Sequence, residues 1–300
     1  MIAETEALDR TNTTIDWMDP ADAVSALIEA QRQAASAVTS ASTSILRAAH
    51  AVAQSISVGG RLLYCGAGSS GLMSLADALE LPGTFGISRD RALAIIAGGV
   101  ASLSDLAGAY EDDREAAGSD LRSAGLAQGD CVIAVAASGR TPYAIGAAEA
   151  GKAAGATVIA LANNAGTPLL ELADIPILLE TPPEPIAGST RLGAGTAQKI
   201  ALNTISTMAG VLLGHVHDGM MVNLRADNTK LKERAARIVG SIAGVDDDAA
   251  RNALEASDGA VKAAVLVARG ATDRDDAERR LAQAGQNLRI ALDAMDANMH

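Results

Sequence analysis

The sequence predicts an α/β fold in which a doubly wound parallel sheet is flanked by helices and followed by a C-terminal helical subdomain. Five short aliphatic runs alternate with stretches of helical periodicity. Each run is apolar throughout, which is typical of parallel strands that are buried on both faces. After about residue 230 the pattern contains helices only. Ligands are therefore expected at the carboxyl ends of the strands.

The elements follow one another in a regular order. Asp19 and Pro20 form an N-cap and first-turn pair, and helical spacing then predicts one long helix, or two, before Gly59. The predicted strands are Arg61 to Cys65, Ala92 to Ala97, Cys131 to Ala136, Ala156 to Ala162 and Ile175 to Leu179. The predicted C-terminal helices are Glu233 to Ile242, Asp248 to Ala256, Ala260 to Arg269 and Asp273 to Leu292, and the segment His215 to Asp218 is predicted to close an earlier helix.

Three segments follow from this order: an N-terminal helical segment of residues 1–58, an α/β domain of residues 59–230 and a helical subdomain of residues 231–300. The net charge of −12 argues against nucleic acid or an anionic membrane as a partner. Both cysteines lie in apolar runs, and acidic residues stand at the N-terminus where a secretory signal needs basic ones. A cytoplasmic location is therefore expected, with no membrane partner.

The loop after the first predicted strand reads GAGSSG at residues 66–71 and formally matches the GxGxxG pattern of dinucleotide sites. Such a site needs an acidic residue at the end of the next strand to hold the ribose hydroxyls. That strand instead runs into Gly98 and Gly99. The adjacent hydroxyls of Ser69 and Ser70 at a helix N-terminus suit a compact anion such as a phosphomonoester. Phosphate is therefore favoured over a dinucleotide.

A second hydroxyl-rich loop follows the third predicted strand. It holds Ser138, Gly139, Arg140 and Thr141, and Pro142 suits the first turn of the next helix. Taken alone, Ser138 and Thr141 are better interpreted as ordinary helix caps. Two such loops in one parallel sheet favour a phosphate site and resemble the sugar isomerase (SIS) fold, whose members bind phosphorylated sugars.

One long segment narrows this resemblance. The run GSTRLGAGTAQK at residues 188–199 is similar to the signature of the N-acetylmuramic acid 6-phosphate etherases. Further motifs of that family occur in the same order: AGSSG at 67–71, DALE at 77–80, IAGG at 96–99, EDDRE at 111–115 and ASGRTPY at 137–143. The likeness is clear from Gly59 to Arg234 and looser in the helical tail.

The resemblance implies a lyase that needs no cofactor and no metal and removes D-lactate from N-acetylmuramic acid 6-phosphate, leaving N-acetylglucosamine 6-phosphate. A base takes the proton on carbon 2 of the open-chain sugar, the lactyl ether on carbon 3 leaves, and water adds to the alkene. By resemblance Glu80 is the acid and Glu111 the base. The resemblance also implies a homodimer with a shared active site. The implied substrate-binding residues are Ser69, Ser70, Ser138, Arg140, Thr141, Ser189, Thr190 and Asn228.

From the residues alone, several of these positions have ordinary interpretations. Glu80 reads as a surface residue ending a helix, Glu111 as part of a solvated helix start, and Asn228 as a helix cap. The chain also departs from the family, with Leu72 in place of the usual Arg, Gly193 in place of Lys and Thr229 in place of Glu. An aldose-ketose isomerase and a non-catalytic phosphosugar sensor therefore stay open as alternatives, and lactate release separates them from an etherase.

Overall fold

A five-stranded parallel sheet forms the centre of the first part of the chain, with the strand order β2-β1-β3-β4-β5. The strands are β1 (Leu62–Gly66), β2 (Ala92–Ile96), β3 (Cys131–Val135), β4 (Thr157–Ala162) and β5 (Ile175–Leu178). Every residue of β1 and β3 is buried, as continuous apolar runs predict. The predicted doubly wound α/β class is confirmed, and each strand agrees with its predicted range to within about one residue at either end.

The computed structural model describes residues 14–104, 108–224 and 229–297, together with Thr5 and Ala7. Two compact units are present: the first comprises residues 1–79 and 90–208, and the second residues 80–89 and 209–300. The three segments predicted from the sequence stay a prediction. Within the described ranges, no helix combines the length and the hydropathy that crossing a membrane requires.

Helices flank the sheet on both faces. They are α1 (Pro20–Ala37), α2 (Ser42–Ser57), α3 (Gly68–Phe85), α4 (Arg114–Ser123), α5 (Pro142–Ala153), α6 (Pro168–Leu172) and α7 (Gly193–Leu212). Asp19 caps α1 as predicted, because its carboxylate accepts a hydrogen bond of 2.9 Å from the Ala21 amide. The apolar stripe Ala34, Val38, Ala41 and Ile45 is buried within the chain. This stripe is therefore an internal packing surface.

The register of the sheet aligns the carboxyl ends of its strands. Gly66 at the end of β1 pairs with Ile96 of β2 and with Val135 of β3. Because these strands are parallel and their last residues pair with one another, the loops that follow them lie side by side. The Ala97 amide also donates a hydrogen bond of 3.1 Å to the Gly66 carbonyl. The loops after β1 and β2 are thus joined directly.

The C-terminal helices are α8 (Thr229–Ala243), α9 (Asp247–Ala256), α10 (Val261–Ala268), α11 (Arg274–Gln283) and α12 (Leu288–Ala297). The single predicted helix from Asp273 to Leu292 is wrong, because Gly285 and Gln286 adopt left-handed backbone angles, with φ of 61° and 65°, that no helix accommodates. The predicted helix end at residues 215–218 is also wrong. A small hairpin of β6 (Val216–His217) and β7 (Met220–Met221) lies there.

Helix α3 does not end at Glu80 as predicted, but continues through Pro82 to Phe85. A proline inside a helix costs about 3 kcal/mol, since it removes one hydrogen bond. Leu81 and Phe85 are both buried, and the Phe85 ring packs so closely on Gly210 that a Cβ there would lie 2.7 Å from it. We infer that this packing offsets the proline, so Glu80 lies within the helix.

His215 in the second unit predicts an acid-sensitive stability. Burial lowers its pKa to about 4, and the charge of Lys262 contributes. Its ordinary value is 6.5, so between pH 6.5 and 4 the unfolded chain binds more protons and the free energy of unfolding falls as the pH falls. We expect a loss of about 2 kcal/mol between pH 7 and pH 5 from this group.

Urea unfolding of wild type and His215→Gln at the two pH values checks this expectation. The variant should lose less stability on acidification than wild type. An identical pH dependence in the two proteins would show that His215 is not the titrating group.

Candidate functional site

The loop after β1 brings two hydroxyls to the edge of the sheet. Helix α3 begins at Gly68, whose φ of 51° is left-handed, and Ser69 and Ser70 form its first turn. A Cβ at Gly71 would lie 3.1 Å from the Gly66 carbonyl oxygen, so the glycine allows the helix to start directly behind the strand. Ser69 is half-buried and Ser70 is buried. This is the helix N-terminus that the sequence predicts for anion binding.

The loop after β3 lies beside it, because β3 pairs with β1. The Ser138 Oγ accepts a hydrogen bond of 3.1 Å from the Arg140 amide and lies 3.5 Å from the Thr141 Oγ1. Thr141 occupies the N-cap position of α5, yet within the described ranges its side chain makes no capping hydrogen bond. The ordinary capping interpretation therefore does not account for Thr141, whereas the Arg140 side chain is simply exposed.

Gly139 in this loop is enclosed by a neighbour. Its φ is 65°, and a Cβ there would lie 2.6 Å from the Cβ of Thr167. The Gly139 carbonyl also accepts a hydrogen bond of 3.2 Å from the Leu169 amide. The Thr167 Oγ1 is buried and has no hydrogen-bond partner among the described residues. The conformation of the Ser138–Thr141 loop thus depends on a glycine.

Gly139→Ala is expected to destabilise the protein and to weaken substrate binding. Gly166→Ala is the matched control, because Gly166 has a similar φ of 61° but nothing lies within 4 Å of a Cβ there. Both variants share the left-handed strain of about 1 kcal/mol, and Gly139→Ala adds about 1 to 3 kcal/mol from overpacking. Urea unfolding and KM for the substrate measure the difference. Equal losses in both variants would contradict the close contact.

The turn that carries Glu111 contacts the loop after β2. It lies in a 3-10 turn of Gly108–Asp112. The ring of its neighbour Tyr110 covers Gly98, where a Cβ would lie 2.6 Å from the ring. Gly98 follows directly on Ala97, whose amide is bonded to Gly66. The structure therefore places the Glu111 turn beside the loop that precedes α3. The Glu111 side chain is exposed in the single chain.

Glu80 is also exposed, one helical turn after Asp77 on α3. Asp77 is buried, and its carboxylate accepts hydrogen bonds from the Tyr64 hydroxyl at 2.6 Å, from Asn203 at 2.6 Å and from Ser206 at 3.0 Å. Burial raises the pKa of Tyr64, and the charge of Asp77 adds to this, so the phenol keeps its proton and donates it. Asp77 thus fixes α3 to β1 and to α7.

Helix α7 opens at the signature segment, and its N-terminus is occupied by a buried carboxylate. The Glu184 side chain accepts hydrogen bonds from the Gly193 amide at 2.8 Å and from the Ala194 amide at 2.9 Å. Ser189 and Thr190 are half-buried and lie in the loop between Glu184 and the start of α7. Because Glu184 already complements the helix dipole, an anion is not expected at this N-terminus.

The first turns of α7 are held at the edge of the sheet by residues that the sequence analysis missed. The Gln198 side-chain amide donates a hydrogen bond of 3.0 Å to the Asn163 Oδ1, directly after β4. Asn164 donates to the Ala137 carbonyl at 2.8 Å, beside Ser138. The only local signal for these two residues is that adjacent amides follow a buried strand at the predicted edge. The loop at Ser189 and Thr190, here called the signature loop, therefore belongs to the same edge as the loops that carry Ser69 and Ser138, here called the serine loops.

Known proteins are similar to this chain over nearly its whole length. The N-acetylmuramic acid 6-phosphate etherase of Deinococcus radiodurans is 43% identical over 288 residues, which are 96% of this chain and 94% of that protein. The chain belongs to the N-acetylmuramic acid 6-phosphate etherase family. The etherase of Geobacillus thermodenitrificans is 41% identical over 289 residues, covering 96% of this chain and 98% of that one. The SIS domain family matches residues 27–163.

Among solved structures, a phosphoheptose isomerase from Francisella tularensis is similar, with a TM-score of 0.52 and 22% identity over 65% of this chain and the whole of that one. At this identity the likeness supports the SIS fold alone. The expected fold is therefore confirmed from sequence and structure together. The serine loops of this etherase-family chain lie at the carboxyl edge of a SIS-type sheet.

Three positions at which the chain departs from the usual etherase residues, Leu72, Gly193 and Thr229, are described by the structure. A side chain at Gly193 would place its Cβ 3.2 Å from the Glu184 Oε2 and 3.4 Å from the Ala34 Cβ, so this position is closely packed. Leu72 is half-buried on α3, and Thr229 opens α8. Asn228, predicted to bind ligand, lies outside the described residues. Nothing in the structure explains the exchange of the usual family residue for Leu72.

Proposed function

We propose that the protein is an etherase that converts N-acetylmuramic acid 6-phosphate and water into N-acetylglucosamine 6-phosphate and D-lactate. The observation that carries this proposal is the sequence identity of 37–43% to known etherases, which in several of them extends over more than nine-tenths of both chains. The arrangement of hydroxyls at the sheet edge supports a phosphosugar as the ligand. The activity is that of a carbon–oxygen lyase.

The two serine loops are proposed to hold the 6-phosphate. Ser69 and Ser70 stand at the N-terminus of α3, where backbone amides and the helix dipole favour an anion. Ser138 and Thr141 stand in the neighbouring loop, and the Thr141 hydroxyl, which lies 3.5 Å from the Ser138 Oγ, makes no capping bond and is available as a donor. Binding energy from the phosphate positions the reacting carbons, which lie several bonds away. Arg140, Ser189, Thr190 and Asn228 are proposed as further contacts to the sugar or its phosphate.

Glu111 is proposed as the base and Glu80 as the acid. In the open-chain sugar the aldehyde acidifies the proton on carbon 2, and the Glu111 carboxylate takes it. The bond between carbon 3 and the ether oxygen then breaks while Glu80 protonates that oxygen, which releases D-lactate. Water adds to carbon 3 of the alkene, and carbon 2 regains a proton. One water is consumed and no electron acceptor is needed.

A homodimer with a shared active site is proposed because the single chain leaves much apolar surface on α1 and just before it. Trp17 is 82% exposed, Val24 57% and Ile28 58%. The proposed acid and base, Glu80 and Glu111, are exposed as well, and a second copy that covered them would shield the reaction from bulk water while admitting the one water that it consumes. The proposed setting is the cytoplasm, where the family's phosphosugar chemistry would take part in cell-wall recycling.

The test is incubation of the purified protein with N-acetylmuramic acid 6-phosphate and measurement of D-lactate. N-acetylmuramic acid without the phosphate is the control substrate, and it should react far more slowly because the anchoring anion is missing. Formation of a ketose phosphate without lactate would support an isomerase instead. Tight binding with no product at all would support a sensor.

A further inference from the structure

A cavity of about 710 Å³ lies wholly within the second unit. Its walls come from the loop at Gly86, the segment from Val222 to Leu224, the start of α10 and the face of α11. None of the described residues that line it belongs to the loops at Ser69 and Ser138 or to the signature segment. The volume falls in the range of sites for sugar-sized ligands. The proposed etherase chemistry has no use for it.

Lys262 lines this cavity and carries a buried ammonium group. The residue is only 4% exposed. Its Nζ donates a hydrogen bond of 2.8 Å to the carbonyl of Gln286, a neutral partner, and within the described ranges it forms no ion pair. Burial lowers the pKa of Lys262 to about 8, so most of the ammonium is still charged at pH 7. A buried charge without an opposite charge is unfavourable, and a bound anion would relieve that penalty.

The N-terminus of α10 faces the same space. Ala260, Val261, Lys262 and Ala263 all line the cavity. Ala260 holds the N-cap position but has no side-chain oxygen, and no side chain caps the helix within the described ranges. The first amides of a helix have no partner inside it, and the helix dipole is positive there. Two positive features, the lysine and the helix start, therefore line one cavity.

The two acidic residues on the cavity wall are both bound by one arginine. Asp258 and Glu278 both line it, and Arg274 bonds the first at 3.3 Å and the second at 2.6 Å. The Asp258 side chain is 86% exposed and the Glu278 side chain is 50% exposed, so both lie at the solvent side. Among the described residues, neither carboxylate forms an ion pair with Lys262.

We propose that this cavity is a second ligand site, which binds the oxyanion of a sugar-sized molecule through the Lys262 ammonium and the first amides of α10. The oxyanion is a phosphate monoester or a carboxylate, since both present oxygens that an ammonium and backbone amides can share. The neutral remainder of the ligand occupies the polar space between Asn223 and α11. This site is independent of the proposed etherase activity.

Calorimetric titration of the full-length protein tests the proposal. The probes are glucose 6-phosphate and gluconate, which separate phosphate from carboxylate, and glucose is the uncharged control. The background for all titrations is Ser138→Ala with Thr141→Val, which removes the hydroxyls of one of the two loops proposed to anchor the substrate. One of the two anions should bind this background with a stoichiometry of one per chain, and glucose should not bind.

Three variants in that background decide the outcome. Lys262→Met should weaken binding at least tenfold, and Lys232→Met, an exposed lysine outside the cavity, should leave it unchanged. Ala282→Glu adds a negative charge to the cavity wall at an exposed position and preserves the bond from Lys262 to Gln286, so it should weaken binding at least threefold even if Lys262→Met fails to fold. The proposal would be overturned if neither anion bound the background protein, or if Ala282→Glu and its parent bound the anion with equal affinity.

Discussion

Replacing Glu111 by glutamine is expected to lower the rate of D-lactate release by roughly 10²- to 10⁴-fold, the usual contribution of a positioned acid or base. The same loss is expected for Glu80→Gln. Glutamine keeps the size of the side chain but neither accepts nor supplies the proton. Both positions are exposed in the single chain, so the substitutions should not affect folding. The measurement is enzymatic detection of D-lactate from N-acetylmuramic acid 6-phosphate.

The two roles can be separated by hydrogen exchange at carbon 2. In deuterated water, Glu80→Gln should still exchange that hydrogen, because the base is intact and only the departure of the ether is blocked. Glu111→Gln should show neither exchange nor lactate. The opposite pattern would reverse the assignment of acid and base.

Neighbouring carboxylates provide the matched controls. Asp112 follows Glu111 in the same 3-10 turn, and Glu115 lies one turn further on in α4; both are exposed. Asp112→Asn and Glu115→Gln remove the same charge from the same surface, so they report any general electrostatic effect. Their lactate release should stay within about twofold of wild type. Wild-type turnover in both Glu80→Gln and Glu111→Gln would remove these residues from the mechanism.

The strands and the two serine loops could be predicted because their signals are local. A continuous aliphatic run between helical segments specifies a strand buried on both faces, and hydroxyl-bearing residues after it specify the start of a helix. The parallel arrangement then brings successive loops to one edge without any knowledge of side-chain contacts. For this reason Ser70 and Ser138, 68 residues apart in the sequence, were expected together.

The residues that fix the site could not be predicted, since their partners are distant in the sequence. Asp77 accepts hydrogen bonds from Asn203 and Ser206, more than 120 residues away. Glu184 caps a helix that begins nine residues later, at Gly193, whereas capping rules consider only the flanking positions. Gln286 breaks the last helical region with a left-handed angle that non-glycine residues rarely adopt. The roles of Glu80 and Glu111 rest on the family resemblance alone.

Asp130→Ala is expected to destabilise the first unit by about 3 kcal/mol, the lower end of the range for breaking a buried ion pair. Asp130 is 3% exposed, and its carboxylate bonds the Arg61 amide at 2.8 Å, the Arg61 guanidinium at 2.7 Å and the Ala127 amide at 3.0 Å. Arg61 precedes β1 and Asp130 precedes β3. The pair therefore fixes the amino ends of the two strands whose carboxyl ends carry the serine loops.

Glu149→Ala is the control, because the Glu149 side chain is 42% exposed in its ion pair with Arg114, and such pairs contribute about 1 kcal/mol or less. Thermal unfolding at pH 7 should show a Tm lower by roughly 10 °C for Asp130→Ala and by no more than a few degrees for Glu149→Ala. Burial acts to raise the pKa of Asp130, but the hydrogen bonds from Arg61 and Ala127 outweigh it and hold the pKa below its usual value. The stabilisation is thus present above the ordinary carboxyl pKa and lost as the pH falls through the depressed one, so the difference between wild type and Asp130→Ala should narrow towards pH 3. Equal Tm shifts in the two variants would mean that the strands are aligned by their backbone ladder alone.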